Sequence, residues 1–112
     1  MRRLDISGLP ADPLAAAARF YADVMTGLVS CPVEEDIVII FPAVDHTHAA
    51  WRLAAVQGLA RQAVPARVNA VAGGNARSID AAIAYVAAAP GLTGQYLPLD
   101  DAGAGPVIES AP

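Results

Sequence analysis

The hydrophobic residues of this 112-residue chain alternate between short continuous runs and segments with helical spacing. Ile37–Phe41 is a run of five apolar residues, mostly β-branched, and Pro42 ends it. A run of this kind is too short for a helix and indicates a central strand buried on both faces. Short, partly apolar segments at 4–7, 67–72 and 95–99 predict three further strands.

The three segments between these strands show apolar residues three to four positions apart, which predicts helices over 13–29, 47–62 and 78–89. The first helix has a clear start signal. Asp12 is placed to act as its N-cap, and Pro13 occupies the first helical position, where the missing N–H is not needed.

The first two helices carry apolar side chains on two sides. On the first helix, one face comprises Leu14, Ala18, Tyr21, Met25 and Leu28. On the second, one face comprises Leu53, Val56 and Ala60. A helix that is apolar on two sides needs two partners, so we predict that the sheet covers one side and that a helix of this chain or of a second copy covers the other. The predicted interface residues are Phe20, Val24, Trp51, Ala55 and Leu59.

The element order β-α-β-α-β-α-β predicts an α/β fold with a four-stranded parallel sheet and right-handed crossovers. We expect the strand order 1-2-3-4, with the first two helices on one face of the sheet and the third on the other. This gives a single three-layer α/β/α domain over residues 1–100. Residues 101–112 contain two glycines and two prolines and are predicted to form an irregular tail.

Composition and charge narrow the function classes. The formal net charge is −4, and all seven basic residues are arginine, because the chain has no lysine. Nucleic-acid surfaces need clustered basic groups, and anionic membranes attract basic segments, so neither partner is expected. The single Cys31 cannot form an internal disulfide, and the N-terminus has no signal-peptide pattern. These features predict a cytoplasmic protein.

Two segments in the second half of the chain resemble the short-chain dehydrogenases/reductases. RVNAVAG at 67–73 is similar to the family segment RVNAVAPG, and AIAYVAAAPGLTGQ at 82–95 is similar to ayLasapgvTGQ. Residues 98–100 resemble the start of the family segment vDGG.

Earlier elements resemble the same family in their order. AAWRLAAVQGLA at 49–60 looks like the helix that carries the family's catalytic lysine, and 37–40 looks like the strand before the catalytic serine. The resemblance therefore covers the second half of that fold and implies a minimal Rossmann-like domain. It also implies a homodimer, because the corresponding two helices of the family form a four-helix bundle between subunits.

The chain departs from the family where the family performs its chemistry. Neither GxxxGxG nor GxGxxG, the glycine-rich turns that receive the cofactor pyrophosphate, occurs in it. Alignment on the Gly-Leu-Ala at 58–60 puts Asp45 and Ala49 at the positions of the family's Tyr-x-x-x-Lys pair, and the serine position falls near Pro42. We therefore predict no nicotinamide cofactor and no hydride transfer.

Asp45, His46 and His48 form the most suggestive polar cluster. They follow a buried strand, and open α/β sheets bind ligands at the carboxyl ends of their strands. A histidine oriented by a carboxylate can do acid–base chemistry. His-x-His can also bind metal, but a structural zinc site needs four ligands, so no metal is predicted. Helix-cap and surface roles are the favoured interpretation, and a ligand or catalytic site is the alternative.

Gly73, Gly74 and Asn75 precede the third predicted helix, with Asn75 or Ser78 as its cap. The free N–H groups at a helix start can bind an anion. Two adjacent glycines also suit a tight strand-to-helix turn, and we favour the turn.

These features favour a non-catalytic relative of the family that acts as a homodimeric assembly or binding module. It would pair with itself or with a full-length reductase. The alternative is a small enzyme or metabolite-binding protein that uses Asp45, His46 and His48.

Overall fold

The computed structural model describes residues 1–100, and the tail predicted over 101–112 lies outside the described residues. The strands are β1 Arg2–Asp5, β2 Ile37–Phe41, β3 Val68–Gly73 and β4 Tyr96–Leu99. The helices are α1 Pro13–Phe20, a π turn Tyr21–Met25, α2 Thr26–Val29, a 3-10 turn His46–His48, α3 Ala49–Ala63 and α4 Ala76–Ala87.

The four strands form one parallel sheet in the order β1-β2-β3-β4, as predicted. Ile39 of β2 lies between Leu4 of β1 and Ala70 of β3 in the register. Every residue of β2 and β3 is buried, which explains why β2 is apolar throughout and why β3 is apolar or small except for Asn69, whose amide is hydrogen-bonded to Leu92 and Gln95. The predicted α/β class with a four-stranded parallel sheet is confirmed.

The two faces of the sheet are covered as the crossovers predict. The predicted first helix consists of α1, the π turn and α2, and it packs with α3 on the face that presents Ile39, Phe41 and Ala70. Together they enclose the larger core. α4 packs on the opposite face against Val38 and Val71. Among residues 1–100, none of the helices has the length and apolar character needed to cross a membrane.

The apolar face defined by spacing on the first helix is not buried in its first half. Leu14 is 80% exposed and Tyr21 is 41% exposed, whereas Ala16 and Phe20 are fully buried. The π turn, closed by the bond from Thr26 N–H to the Tyr21 carbonyl, is one residue wider than an α turn, so the spacing that fits Met25 and Leu28 does not extend back to Leu14. The wider turn keeps the side chains that follow Phe20 directed at the sheet.

This packing also corrects the predicted interface. Phe20, Ala55 and Leu59 are buried in the core of the chain itself, so they are not available to a second copy. Val24 and Trp51 are half-buried and pack against the same core. The apolar pattern does not show which side of a helix is free for a second copy. Part of the apolar surface of each helix is covered by the other helix, because the two lie side by side on the sheet.

An ion pair between Arg67 and Asp36 joins the amino end of β3 to the turn before β2. Arg67 donates from Nε to Asp36 over 2.9 Å, and its backbone N–H donates to the same carboxylate over 2.8 Å. The guanidinium also donates to the carbonyls of Val86, Ala89 and Leu92 at the end of α4. The backbone N–H and the guanidinium of Arg67 hold the pKa of Asp36 below its ordinary value.

Candidate functional site

Asp45 lies in the connection between β2 and α3, at the carboxyl edge of the sheet. Its Oδ1 accepts a hydrogen bond from the backbone N–H of Thr47 over 3.0 Å and another from the Thr47 hydroxyl. The Thr47 hydroxyl and N–H hold the pKa of Asp45 below its ordinary value. The carboxylate is thus a helix cap, and its bonds turn it towards its own backbone.

The two histidines of this segment have different environments. His46 is exposed, whereas His48 retains 4% of its accessible surface. The Nε2 atom of His48 lies 3.0 Å from the carbonyl oxygen of Ala11, and its Nδ1 accepts a hydrogen bond from Trp51 Nε1 over 3.0 Å. Both ring nitrogens of His48 are therefore used within the fold. Asp45, His46 and His48 are neighbours in sequence, but they do not converge on one point.

Trp51 joins this histidine to the aromatic part of the core. Its ring centre lies 5.5 Å from that of Phe20 and 5.7 Å from that of Phe41. The Phe41 ring continues the cluster to Tyr96, at 6.2 Å. The aromatic rings therefore link the start of α3 to both the first helix and β4, which is a packing role.

Arg52 is the residue that sequence reasoning missed. Its side chain is 1% exposed, although the sequence pattern places it among the polar positions of the helix. Nη1 donates to the carbonyl of Pro42 over 3.0 Å and to the hydroxyl of Tyr96 over 3.3 Å. The guanidinium carbon lies 4.5 Å from the centre of the Phe41 ring, a cation–π contact. Among the described residues Arg52 makes no ion pair, and its Nε has no hydrogen-bond partner.

The spacing of Arg52 along α3 is a signal of its burial. It precedes the buried Ala55 and Val56 by three and four positions and Leu59 by seven, so all four share one side of α3. A charged residue on such a stripe is easily taken as an interruption of the apolar pattern. Here the arginine instead lies over the sheet between the ends of β2 and β4. It donates hydrogen bonds to the carbonyl of Pro42, which follows β2, and to the hydroxyl of Tyr96 in β4.

A cavity of about 190 Å³ lies at the carboxyl ends of β1, β2 and β3, where α/β sheets bind ligands. Its wall is mostly apolar, with Ile40, Pro42 and Ile79, and Asp5 is its charged residue. None of Asp45, His46 and His48 is among the described residues that line it. The candidate polar groups and the cavity are therefore separate features.

The glycine pair at the end of β3 forms a tight turn. Gly73 has φ +75° and Gly74 has φ +82°, a conformation that side chains with a Cβ rarely adopt. A Cβ on Gly74 would collide with the hydroxyl of Ser78. Asn75, rather than Ser78, caps α4 by accepting from the Ser78 N–H over 2.8 Å. The turn geometry accounts for both glycines.

Metal-binding side chains are not grouped in the described part of the chain. Over residues 1–100, no three His, Cys, Asp or Glu side chains lie close enough together to hold an ion. Cys31, the soft ligand that could complete a set with His46 and His48, is exposed after the end of α2.

The comparison with protein families agrees with the fold. A family model described as SDR-like, short chain dehydrogenase-like protein, matches residues 4–99, from β1 to the end of β4. The comparison with curated proteins returned no match. The comparison with solved structures returned none either. The match to the family model spans most of the chain, which therefore belongs to the SDR-like family of short chain dehydrogenase-like proteins.

Proposed function

We propose that the protein is a non-catalytic member of this family that acts as a homodimeric assembly module. The observation that carries the proposal is the start of α3. The family's catalytic tyrosine and lysine correspond to Asp45 and Ala49, and the chain contains no lysine. Asp45 is a helix cap bonded to Thr47, so neither position offers a proton to a substrate.

The histidines give weaker support to the alternative of a small enzyme or metabolite-binding protein. A catalytic base must have a nitrogen within reach of the proton that it abstracts. Both nitrogens of His48 are engaged by Ala11 and Trp51. His46 is exposed but does not line the cavity at the carboxyl edge.

The outer surface of the two helices on the larger core supports self-association. Leu14 is 80% exposed and Leu53 is 38% exposed, and Ala50 and Ala54 are exposed beside Leu53 on α3. A second copy would cover these side chains and bury apolar surface, and none of the four carries a charge. We therefore assign the dimer contact to this helical surface, defined by Leu14, Ala50, Leu53 and Ala54.

Native mass spectrometry tests the dimer. The expected mass is at least twice the 11.4 kDa of one chain. Leu14→Glu and Ala54→Arg change exposed side chains of the helical surface, so both variants should fold and show half the mass of the wild-type assembly. Tyr85→Glu is the matched control, because Tyr85 is 62% exposed on α4, on the opposite face of the sheet. A wild-type monomer would refute the proposed dimer.

Cofactor titration tests the absence of catalysis. We expect no saturable quenching of Trp51 fluorescence when NADH or NADPH is added at micromolar concentrations. Saturable binding in that range would refute the non-catalytic proposal, whatever the oligomeric state.

Affinity capture on the immobilised chain would identify a full-length reductase as a second partner. The Tyr85→Glu and Ala54→Arg variants would show whether that partner uses the same helical surface.

A further inference from the structure

β1 is a terminal strand of the sheet, and its backbone hydrogen bonds reach only one side. The N–H of Arg2 donates to the Asp36 carbonyl over 2.8 Å, and the N–H of Ile6 donates to the Ile40 carbonyl over 2.9 Å. Backbone groups alternate in direction along a strand, so Arg2 and Ile6 point to β2 while Arg3 and Asp5 point away from it. The N–H and C=O groups of Arg3 and Asp5 thus form the outer edge of β1.

The side chains of β1 divide between the two faces of the sheet. Leu4 packs against the larger core, beneath the first helix. Arg3 lies on the α4 face, where it pairs with Asp5 at 3.0 Å and with Asp80 of α4 at 3.7 Å. The edge therefore presents Leu4 and the exposed Arg2 on one face, and two opposite charges, two residues apart, on the other.

Only a few registers would let two copies of this edge pair antiparallel. Residues opposite each other in such a pair have side chains on the same face, so odd must meet odd and even must meet even. Pairing Arg3 with Arg3, or Asp5 with Asp5, sets like charges opposite each other, which is destabilising. The remaining register sets Arg3 of each copy opposite Asp5 of the other, with Leu4 opposite Leu4 on the two-fold axis.

We propose that β1 pairs antiparallel with β1 of a second copy in this register, which joins the two sheets into one of eight strands. The register places the outward N–H and C=O groups of Arg3 directly against those of Asp5, so each such pair exchanges two backbone hydrogen bonds. The two charge pairs are complementary, and both side chains are exposed enough to reach a partner, at 44% and 62%.

The Leu4 side of the edge fits the same arrangement. Leu4 of the second copy meets Leu4 next to a cavity of about 300 Å³, which is lined by Leu4, Val24 and Leu28 and also by the charged Arg2 and Asp23. The larger core would then continue across the two-fold axis. Charges on an edge strand usually prevent pairing, but here their order makes the edge complementary to itself.

This contact rests on the proposed function only because both describe self-association of the chain. It uses a different surface from the helical one. β1 lies at the sheet edge, whereas Leu14, Ala50, Leu53 and Ala54 lie on helices. A chain that uses both surfaces assembles beyond a dimer, and loss of either surface leaves a dimer joined by the other. The two proposals therefore fail separately.

Disulfide formation between two copies of Leu4→Cys tests the register. The Leu4 pair is a non-hydrogen-bonded one with Cα atoms about 4.5 Å apart, a separation that a disulfide spans. In a Cys31→Ser background, we expect Leu4→Cys to form a covalent dimer on mild oxidation. Arg2→Cys is the control, because two copies of residue 2 lie about 13 Å apart in this register. Equal cross-linking of both variants, or of neither, overturns the proposal.

Charge exchange tests the same pairing without a cysteine. Arg3→Glu sets a glutamate opposite Asp5, and Asp5→Arg sets a second arginine opposite Arg3, so each variant alone should lose at least tenfold in self-association through the edge. A mixture of the two variants restores opposite charges at both pairs and should form a heterodimer, detected by native mass spectrometry. The Ala54→Arg change is included in all chains, so that only the edge contact is measured. A mixture that associates no better than either variant alone overturns the proposal, even if the helical dimer forms.

Discussion

Trp51 donates a hydrogen bond from Nε1 to Nδ1 of His48 over 3.0 Å, which fixes the tautomer of the histidine. Because Nδ1 is an acceptor, the proton of the neutral ring lies on Nε2, which donates to the Ala11 carbonyl at 3.0 Å. His48 thus links the connection before α1 to the first turn of α3. The geometry predicts a structural role for this histidine.

His48→Ala should lower the free energy of unfolding by about 2–3 kcal/mol, because it removes a buried ring from its packing and the half-buried Trp51 loses its hydrogen-bond partner. Urea unfolding followed by Trp51 fluorescence measures the change. His46→Ala is the matched control, since His46 is exposed and its removal should cost less than about 0.5 kcal/mol. Equal losses in the two variants would contradict the structural role of His48.

The buried guanidinium of Arg52 gives a second prediction. Arg52→Met keeps the length of the side chain over the Phe41 ring and removes a desolvated charge with an unpaired Nε. Pro42 is exposed and Tyr96 is half-buried, so water can replace the two lost hydrogen bonds. The variant should therefore be more stable by about 1 kcal/mol.

Comparison of Arg52→Met with Arg52→Ala separates the effect of the charge on stability from the effect of side-chain packing. Arg52→Ala removes the same charge but leaves a space beside Phe41, so it should cost about 3 kcal/mol. Thermal and urea unfolding of both variants, at one protein concentration, gives the comparison. If Arg52→Met is as unstable as Arg52→Ala, then the hydrogen bonds to Pro42 and Tyr96 outweigh the cost of the buried charge.

The sheet was predictable because its signals are local. Ile37–Phe41 is a continuous apolar run with a proline after it, and the structure has the strand with the same bounds. Each connection between strands holds one continuous helical segment, and right-handed crossovers leave a single arrangement of layers. Asp12 was likewise predictable as a cap, since its side chain needs only the N–H of Ala15 three residues later.

The environment of single side chains was less predictable because it depends on distant residues. His48 pairs with a carbonyl 37 positions away, and Arg52 reaches Tyr96, 44 positions away. The π turn Tyr21–Met25 gives no composition signal, yet it changes which of the side chains after Phe20 pack on the core. Phe20, Ala55 and Leu59, which were assigned to an interface, are core residues of the same chain.

The ion pair between Asp36 and Arg67 predicts how stability depends on pH. The pKa of Asp36 is lower in the folded chain than its ordinary value of 3.8. The ionised carboxylate therefore stabilises the fold above that value, and this contribution is lost as the pH falls through the folded-state pKa.

Asp36→Asn should lower the free energy of unfolding by about 1 kcal/mol at pH 7, allowing for the third of the side chain that is exposed. The difference from wild type should shrink as the pH is lowered below 3.8. Glu34→Gln, in the same exposed turn, is the control and should show no such convergence. A difference that stays constant from pH 7 to pH 3 would contradict the assigned role of the Asp36 carboxylate.

The turn after β3 gives the last prediction. Gly74→Ala must hold φ near +82° and push the new Cβ against the Ser78 hydroxyl and to 3.0 Å from Cβ of Leu99. The cost should be about 2 kcal/mol, from the left-handed backbone and the collision together. Gly91→Ala, whose Cβ meets nothing within 4 Å, should change stability by less than about 0.5 kcal/mol.

The double variant Gly74→Ala, Ser78→Ala divides that cost into its two parts. Removal of the Ser78 hydroxyl relieves the collision but not the left-handed backbone, so the double variant should recover about 1 kcal/mol relative to Gly74→Ala. The Ser78→Ala variant alone supplies the reference for the lost bond from its hydroxyl to the Asn75 carbonyl. If Gly74→Ala is as stable as wild type, then the turn does not need glycine. The Gly73-Gly74-Asn75 segment would then have to be reconsidered as an anion-binding turn, which titration with inorganic phosphate would test directly.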